Sequence, residues 1–312
     1  MCTKNQNKIF FNSLSCDEGF LDHFQDKKDY ESIGKIHTIF NKVINIVYGN
    51  RIYSIAALAV DNSPYTLRID NKGCSFKELN LIVGNSAIKI RNSLILGNKI
   101  VIKLYNTKLW KPSNRKINIK NVKVAERNII KFNEKIVDKG INGGCKYFYE
   151  SRYLEKYKYK PSLVERELSN RIKVFTDEVY KEKVNISHIN SLIGLGMGLT
   201  PSGDDFLSGF LSTISIINSK KTNKISQRII RDLNLEDIST TYVSRQMLMN
   251  TFEGRYKERI LKLIYSFINE NESEFIKSLD RVLAIGSSSG TDLAIGIATA
   301  FILAIDFHKM EG

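Results

Sequence analysis

The stretch "LIGLGMGLTPSGDDFLSGFLSTI", Leu192–Ile214, joins a glycine-rich turn to an uncharged, mostly apolar segment. Thr200 stands where the N-cap residue of a helix belongs, and Pro201 follows at the first helical position. The apolar residues that follow recur at the spacing of one helix face: Phe206, Leu207, Phe210, Leu211 and Ile214. The stretch therefore predicts a glycine-rich loop that ends at the start of a buried helix.

The same pattern occurs a second time, because "SGDDFLSGFLS" (Ser202–Ser212) aligns with "SGTDLAIGIAT" (Ser289–Thr299). The shared pattern is Ser-Gly-x-Asp-x-x-x-Gly. It consists of Ser202, Gly203, Asp205 and Gly209 in the first copy, and of Ser289, Gly290, Asp292 and Gly296 in the second. Positions i, i+4 and i+7 share one face of a helix, so each helix carries a face of small residues below an aspartate. We expect the two helices to pack closely, with their N-termini at one place.

Such a pair of helix starts has the chemistry of an anion site. The first turn of a helix presents unpaired N–H groups and a partial positive charge, and glycines let a ligand approach the backbone. The candidate anion-binding residues are Gly194, Gly196, Gly198, Thr200, Ser202, Gly203, Ser289 and Gly290. The alternative interpretation is two well-capped buried helices with no ligand. Neither copy has the spacing of a nucleotide-binding motif, so no nucleotide cofactor is predicted.

The adjacent carboxylates Asp204 and Asp205 are expected to have different roles, because they point about 100° apart on a helix. Asp205 has a counterpart in Asp292, which favours a structural or supporting role for both. Asp204 has none, since Thr291 takes the corresponding place, and is our candidate for a catalytic base or a metal ligand. A bare carboxylate would repel an anion, so a divalent metal bound together with phosphate is the one cofactor considered.

Two further residues are candidates on weaker grounds. Arg245 is a candidate anion clamp, although a surface arginine on a helix is an equally good interpretation. His37 is a candidate general base, although a histidine in a strand is more commonly just packed or exposed. The four cysteines and four histidines have no zinc-ligand spacing, so no metal site of that kind is predicted.

Composition indicates a globular protein with more than one domain. The chain has 312 residues, of which 42% are hydrophobic and 26% charged. A net charge of +14 is compatible with an anionic partner, but the basic residues are scattered, which favours a solvated lysine-rich surface over nucleic-acid binding. The longest uncharged run, Leu293–Ile305, is too short to cross a membrane and predicts a buried helix. No signal peptide is recognised, so we expect a cytoplasmic protein without membrane contact.

Hydrophobic periodicity divides the chain and predicts an α+β fold. Residues 1–34 are interpreted as an N-terminal arm, and 35–120 as a mostly antiparallel β domain, either a barrel or a sandwich. Residues 121–160 form a helix and a connector, and 161–312 an α-helical domain. The predicted helices of that domain are Ser162–Lys183, Pro201–Asn218, Ile225–Leu233, Ser239–Glu253, Tyr256–Asn269, Glu272–Ala284 and Gly290–His308.

The glycine stretch closely resembles the signature of an uncharacterised bacterial family that includes the small subunit of oxamate carbamoyltransferase. The resemblance continues in "TTYVSRQMLMNTFEG" (Thr240–Gly254) and "AIGSSSGTDLAIGI" (Ala284–Ile297), and begins near "HTIFNKVINI" (His37–Ile46). It departs in the second motif, where family members commonly have Gly-His-x-Ser-Gly and this chain has Ser287 after Gly286.

The resemblance implies an enzyme subunit that works with two larger partner subunits. Together they move a carbamoyl group between oxalurate and phosphate, with oxamate and carbamoyl phosphate as products. These reactants are all small anions, which fits the chemistry of the helix starts. The resemblance does not say which subunit carries the active site. The alternative is therefore a non-catalytic subunit that senses an anion or serves assembly.

Overall fold

The computed structural model describes residues 8–112, 115–155, 157–235 and 238–311. The chain divides into two compact units, Met1–Pro112 and Ser113–Gly312. The division falls a few residues before the predicted end of the β domain at residue 120.

The N-terminal unit is a closed β-barrel of mixed strand direction. Its strands are β1 (Ile9–Asp17), β2 (Ser32–Ile39), β3 (Val43–Tyr48), β4 (Arg51–Ala57), β5 (Thr66–Asp70), β6 (Ser86–Ile90), β7 (Ser93–Leu96), β8 (Ile100–Lys103) and β9 (Lys108–Trp110). They follow the order β5-β4-β3-β2-β6-β7-β8-β1-β9, and pairing of β5 with β1 closes the barrel. Strands β8 and β9 pair with successive parts of β1, so they share one position in the barrel wall. The predicted α+β class is confirmed, and of the two β architectures the barrel is the one found.

The segment interpreted as an arm instead contains β1 and helix α1 (Glu18–Gln25), so that interpretation does not match the structure. The segment looks polar, but two of its polar side chains, Ser15 and Asp17, are bonded inside the unit. Ser15 donates to Asn62 Oδ1 at 2.6 Å, and Asp17 accepts from the N–H groups of Gly19 and Tyr65. A hydropathy pattern cannot show such pairing, which is why the strand was missed.

The C-terminal unit is helical, as predicted. Its helices are α2 (Val122–Lys139), α3 (Lys146–Tyr149), α4 (Leu163–Tyr180), α5 (Ile186–Leu192), α6 (Ser202–Ile216), α7 (Lys220–Asp232), α8 (Tyr242–Phe252), α9 (Glu258–Ser266), α10 (Glu272–Leu283) and α11 (Ser289–Glu311). Each predicted helix corresponds to one of these within a few residues, except at the start of α7. The short helices α3 and α5 were not predicted, because one or two turns give too little periodicity.

Helices α6 and α11 form the centre of this unit. All residues of α6 except Ser215 are buried, and the run Leu293–Ile305 within α11 is buried apart from the half-buried Ile302. The segment Ser289–Met310 is long and apolar enough to cross a membrane, but 89% of its most apolar window is buried inside the unit. The segment is therefore a core helix of this unit, and the predicted buried helix is confirmed.

Candidate functional site

Helices α6 and α11 touch backbone to backbone at two glycines. A Cβ atom built on Gly209 would lie 2.2 Å from the carbonyl oxygen of Leu293. One built on Gly296 would lie 2.2 Å from the carbonyl oxygen of Phe206. Because Leu293 aligns with Phe206 in the repeated pattern, the two contacts are equivalent, and the helices are related by an approximate two-fold axis. The close packing predicted from the sequence repeat is confirmed.

The close approach brings two buried carboxyl groups together at the helix starts, Asp205 and Asp292, which we call the acid pair. Asp205 is 1% exposed and Asp292 is 0% exposed. Their hydroxyl partners are crosswise, because Ser289 interacts with Asp205 and Ser202 with Asp292. In each carboxyl group, Oδ2 is buried without a hydrogen-bond partner among the described residues. Unpaired buried acceptors are rare and costly, so this arrangement calls for a ligand or a proton.

Burial is the main reason that both acids hold their protons more tightly than usual. It raises the pKa of Asp205 to about 8, and the neighbouring charge of Asp292 adds to this, while the Ser289 hydroxyl and Lys257 oppose it. Burial likewise raises the pKa of Asp292 to about 6, against the lowering effect of the Cys145 N–H and the Ser202 hydroxyl. Near neutral pH the folded chain therefore keeps the acid pair more protonated than two ordinary carboxyl groups would be.

The segment Gly143–Cys145 covers the acid pair on the Asp292 side. The Cys145 N–H donates to Asp292 Oδ1 at 2.6 Å, and a Cβ on Gly144 would fall 2.3 Å from the same oxygen. The Cys145 thiol donates to the Ser202 carbonyl at 3.6 Å, and burial raises its pKa well above the usual value. The thiol therefore stays protonated and is a poor nucleophile. The sequence predicted this segment as part of a connector, and its one distinguishing signal is two glycines before a cysteine.

The glycine loop, residues 194–200, lies on the other side of the acid pair. Gly194, Gly196 and Gly198 have φ angles of 76°, 126° and 93°, which only glycine adopts readily. The Thr200 hydroxyl lies 2.8 Å from the Ser289 hydroxyl, which ties the end of the loop to the start of α11. Thr200 also interacts with the carboxyl group of Asp205. The loop thus reaches both helix starts through one threonine.

Part of the predicted set of anion-binding N–H groups is already used. Gly203 donates to the Leu195 carbonyl at 2.9 Å, and Gly290 donates to the Ile285 carbonyl at 3.0 Å. Gly194 donates to Asp204 Oδ1 at 2.9 Å. No described hydrogen bond uses the N–H groups of Gly196 and Gly198. Any anion nest here is therefore smaller than the sequence suggested, and the hydroxyls of Thr200, Ser202 and Ser289 are themselves engaged with one another or with the acid pair.

Asp204, our catalytic candidate from the sequence, is instead fully engaged with its surroundings. It is 0% exposed, and it accepts hydrogen bonds from the Gly194 N–H and the Thr240 hydroxyl. Burial raises its pKa, and these hydrogen bonds oppose the rise. The carboxylate joins the glycine loop to the segment before α8. Asp204 thus has a partner on each oxygen, whereas Asp205 and Asp292 each keep one oxygen without a hydrogen-bond partner among the described residues.

Asp204→Ala is expected to lower the free energy of unfolding by about 3 kcal/mol, because the Gly194 N–H and the Thr240 hydroxyl lose their acceptor in a buried place. Urea unfolding followed by circular dichroism measures this. Asp232→Ala is the control, since that carboxyl group is exposed and paired only with neighbouring arginines. If Asp204→Ala kept full stability but abolished catalysis, the catalytic role predicted from the sequence would stand.

The remaining candidates lie on other elements of the chain. Arg245 is half-buried on α8, and its Nη2 donates to the Ile238 carbonyl at 2.7 Å. His37 is exposed on β2 of the N-terminal unit. Ser287, which replaces the common histidine, is exposed in the turn before α11, next to the Ser288 hydroxyl that interacts with Asp292.

Two surface cavities of the C-terminal unit lie elsewhere. One of about 550 Å³ is lined by residues around α9 and α10, including Arg259, Lys277 and Arg281. The other, of about 630 Å³, is lined by tyrosines and basic residues between 147 and 166. In the described part of the chain, no group of three or more His, Cys, Asp or Glu side chains is arranged to hold a metal ion. The acid pair has only two carboxyl groups, and its other donors are hydroxyls.

Each of the two units contains a match to a known family model. The model described as "AllH family N-terminal domain" matches residues 12–109, within the β-barrel unit. The model described as "Oxamate carbamoyltransferase subunit AllH" matches residues 192–301. The chain belongs to the AllH family. The second AllH match contains the glycine loop, both helix starts and the acid pair, so these are features of the part that defines the subunit. No solved structure matches the chain.

Membership confirms the resemblance drawn from the glycine signature. AllH proteins are described as a subunit of a carbamoyltransferase, so this chain is of a family of transferase subunits that work in multi-subunit enzymes.

Proposed function

We propose that this AllH protein is a cytoplasmic subunit of a carbamoyltransferase that works with two larger subunits on oxalurate, phosphate, oxamate and carbamoyl phosphate. In this proposal the paired helix starts of α6 and α11 bind a small anionic reactant. The observation that carries it is that the subunit-defining match, residues 192–301, contains a buried acid pair with two oxygens that no described residue contacts by a hydrogen bond. A purely architectural helix contact has no need of such groups.

The chemistry of carbamoyl transfer fits the donors at this place. Negative charge develops on the carbamoyl oxygen in the transition state, and fixed donors aimed at such an oxygen are a main source of catalysis. The candidate donors are the N–H groups of Gly196 and Gly198, which no described backbone bond uses, and the hydroxyls of Thr200 and Ser289 beside Asp205. A substrate anion requires that the charge of the acid pair be neutralised first, since like charges repel.

A second candidate function is that of a non-catalytic subunit that senses an anion or holds the complex together. The acid pair is buried, whereas the glycine loop presents two apolar side chains to solvent, Met197 at 83% exposure and Leu199 at 53%. Exposed apolar side chains beside a site are typical of protein contacts. In this function the glycine loop binds another subunit, and the position of the loop affects the starts of α6 and α11.

Thr200→Val and Ser289→Ala are expected to lower the kcat/KM of the assembled complex by about 10- to 100-fold while the complex stays intact, because each removes a donor at the reacting centre. Carbamoyl phosphate formed from oxalurate and phosphate is measured, with assembly followed by size-exclusion chromatography. Ser273→Ala, at the start of α10 and away from this place, is the control.

Two outcomes would decide against catalysis at the helix starts. Normal activity in both variants would remove these donors from the reaction. Loss of activity together with loss of assembly would favour the docking function. Independently, phosphate or oxamate at a hundredfold excess over Kd should stabilise the isolated chain by about 2.7 kcal/mol, with chloride as the control.

A further inference from the structure

We propose that a groove on the surface of the C-terminal unit binds a nucleoside di- or triphosphate, with the base on tyrosine rings and the phosphates on basic side chains. The groove has a volume of about 630 Å³, and we call it the tyrosine groove. Three tyrosines and three cations line it: Tyr147, Tyr157, Tyr159, Lys158, Lys160 and Arg166. The proposal goes beyond carbamoyl transfer and does not depend on it.

The sequence at the groove alternates aromatic and basic residues. The segment "YKYKP", Tyr157–Pro161, lines the groove with all of its residues. Tyrosines interleaved with lysines are a combination by which proteins bind unpaired bases, since the rings stack on the base and the lysines attract phosphate. Such binding requires no glycine-rich phosphate loop. The lack of a nucleotide-motif spacing in the glycine turns therefore does not argue against it.

Two of the rings form a corner that suits a flat group. The rings of Tyr147 and Tyr157 lie edge to face, with centroids 5.0 Å apart and planes at 82°. Tyr157 is 51% exposed, and Tyr147 is half-buried. A planar base can stack on one ring of such a pair while its edge meets the other. The corner is therefore the place that we assign to the base.

The three cations of the groove are exposed and have no carboxylate partner in the described part of the chain. Nearby basic side chains differ in this respect, because Lys146 and Arg171 each form an ion pair with a glutamate. Lysine and arginine side chains are the usual protein partners of phosphate oxygens. Lys158, Lys160 and Arg166 together carry a charge that matches a di- or triphosphate.

Two buried carboxyl groups lie close to the groove, and each is held by other partners. Glu150 is within reach of the charge of Lys158, but its ion pair is with a buried lysine at 3.7 Å. Glu165 accepts from the Gly143 N–H and the Tyr159 hydroxyl on one oxygen, and from the N–H and hydroxyl of Ser162 on the other. These bonds fix one tyrosine of the groove in place. Fixed partners lower the entropy cost of binding a ligand.

The size and lining of the groove favour a nucleotide over the small anions of carbamoyl transfer. Pockets for ligands with several rings or groups are about 300–1,000 Å³ in volume. Phosphate and oxamate have no ring to stack on tyrosine and would fill only a small part of such a space. The cavity of about 550 Å³ around α9 and α10 is also basic, but it has no aromatic side chain among its described lining residues. It therefore provides a matched control.

The test uses the full chain and the fluorescent ATP derivative mant-ATP, followed by fluorescence anisotropy. We expect one mant-ATP per chain, displaced by unlabelled ATP and ADP. Adenosine and tripolyphosphate should each compete at least about tenfold less well, because each supplies only one half of the ligand. Added salt should weaken the binding, since exposed charges are screened.

Three variants separate stacking from charge. Tyr157→Leu should weaken mant-ATP binding by about tenfold or more, whereas Tyr157→Phe should keep it, because stacking requires the ring and not the hydroxyl. Lys158→Gln combined with Lys160→Gln should also weaken it by about tenfold or more. Lys277→Gln, in the other basic cavity, is the control and should bind normally. All of these side chains are exposed, and circular dichroism checks the fold of each variant.

The inference is overturned if the wild-type chain binds no mant-ATP at millimolar concentration. It is also overturned if Tyr157→Leu and the lysine variant bind as the wild type does. Equal competition by tripolyphosphate and ATP, with normal binding in Tyr157→Leu, would reject the base and leave a phosphate site. Tighter binding of a single-stranded RNA than of ATP at the same residues would reject a mononucleotide. Carbamoyl transfer is measured separately, so its absence would reject the proposed function and leave this inference standing.

Discussion

Gly296→Ala is expected to destabilise the C-terminal unit by about 3 kcal/mol, the upper part of the range for overpacking. The new methyl group would lie 2.2 Å from the carbonyl oxygen of Phe206, and neither backbone can move without separating α6 from α11. Replacing a glycine in the middle of a helix by alanine normally raises the free energy of unfolding by about 0.5–1 kcal/mol. The sign of the change is therefore diagnostic of the backbone contact. Urea unfolding followed by circular dichroism measures it.

Gly209→Ala should have the same effect, because its methyl group would meet Leu293 at the equivalent place. The variant with both substitutions should lose less stability than the sum of the two single losses. Helices that one methyl group has already forced apart tolerate the second. Ser212→Ala is the matched control on α6. Its hydroxyl bonds only to the Ser208 carbonyl of the same helix, so a change within about 1 kcal/mol is expected. A gain of stability in either alanine variant would contradict the close contact.

The second large effect is a fall in stability as the pH rises from 5 to 9 in the presence of EDTA. The pKa of Asp205 is raised from 3.8 to about 8 and that of Asp292 to about 6. In this window the folded chain retains protons that the unfolded chain has released, so raising the pH favours unfolding. The contribution is fully present below the unfolded pKa and is lost above about pH 8. We expect a loss on the order of 3 kcal/mol.

Asp205→Asn separates this effect from the titration of other groups. The amide is neutral at every pH, so the slope of stability against pH between 6 and 9 should fall by half or more. Asp280→Asn, which changes a half-buried acid in ion pairs with lysines, should leave the slope unchanged. Equal slopes in the wild type and Asp205→Asn would show that the acid pair is ionised in the folded chain. Tm measured at half-unit steps of pH provides the data.

Local periodicity was enough to predict the C-terminal helices and the contact between two of them. A helix buried on all sides shows as a continuous apolar run, and the repeated glycine shows where another helix approaches. Both signals depend only on residues within the same turn or the same helix. The β-barrel was predicted as a class, but not its closure, because β1 pairs with β5 and β8, strands that lie far along the chain.

The roles of the aspartates, in contrast, could not be predicted from the local sequence. From the sequence, the unmatched Asp204 was the better candidate for chemistry, and the matched Asp205 and Asp292 for support. In the structure the partners of Asp204 are Gly194 in the loop and Thr240 before α8, and on that ground we propose the reverse division. Nothing in the spacing of the motif indicates that a hydroxyl 36 residues away completes its hydrogen bonds.

The sequence by itself determined the α+β order, the two glycine turns and the pairing of α6 with α11, since all of these follow from residue types at fixed spacing. Only the tertiary structure decided which acids are satisfied and which are not. It placed Gly144 and Cys145 over Asp292 and left one oxygen of Asp205 and one of Asp292 without a partner in the described part of the chain. The physical reason is that burial and hydrogen bonding belong to the whole unit. The charge state of a carboxyl group depends on residues that are distant along the chain but close in space. The helix that carries the group depends on residues close along the chain.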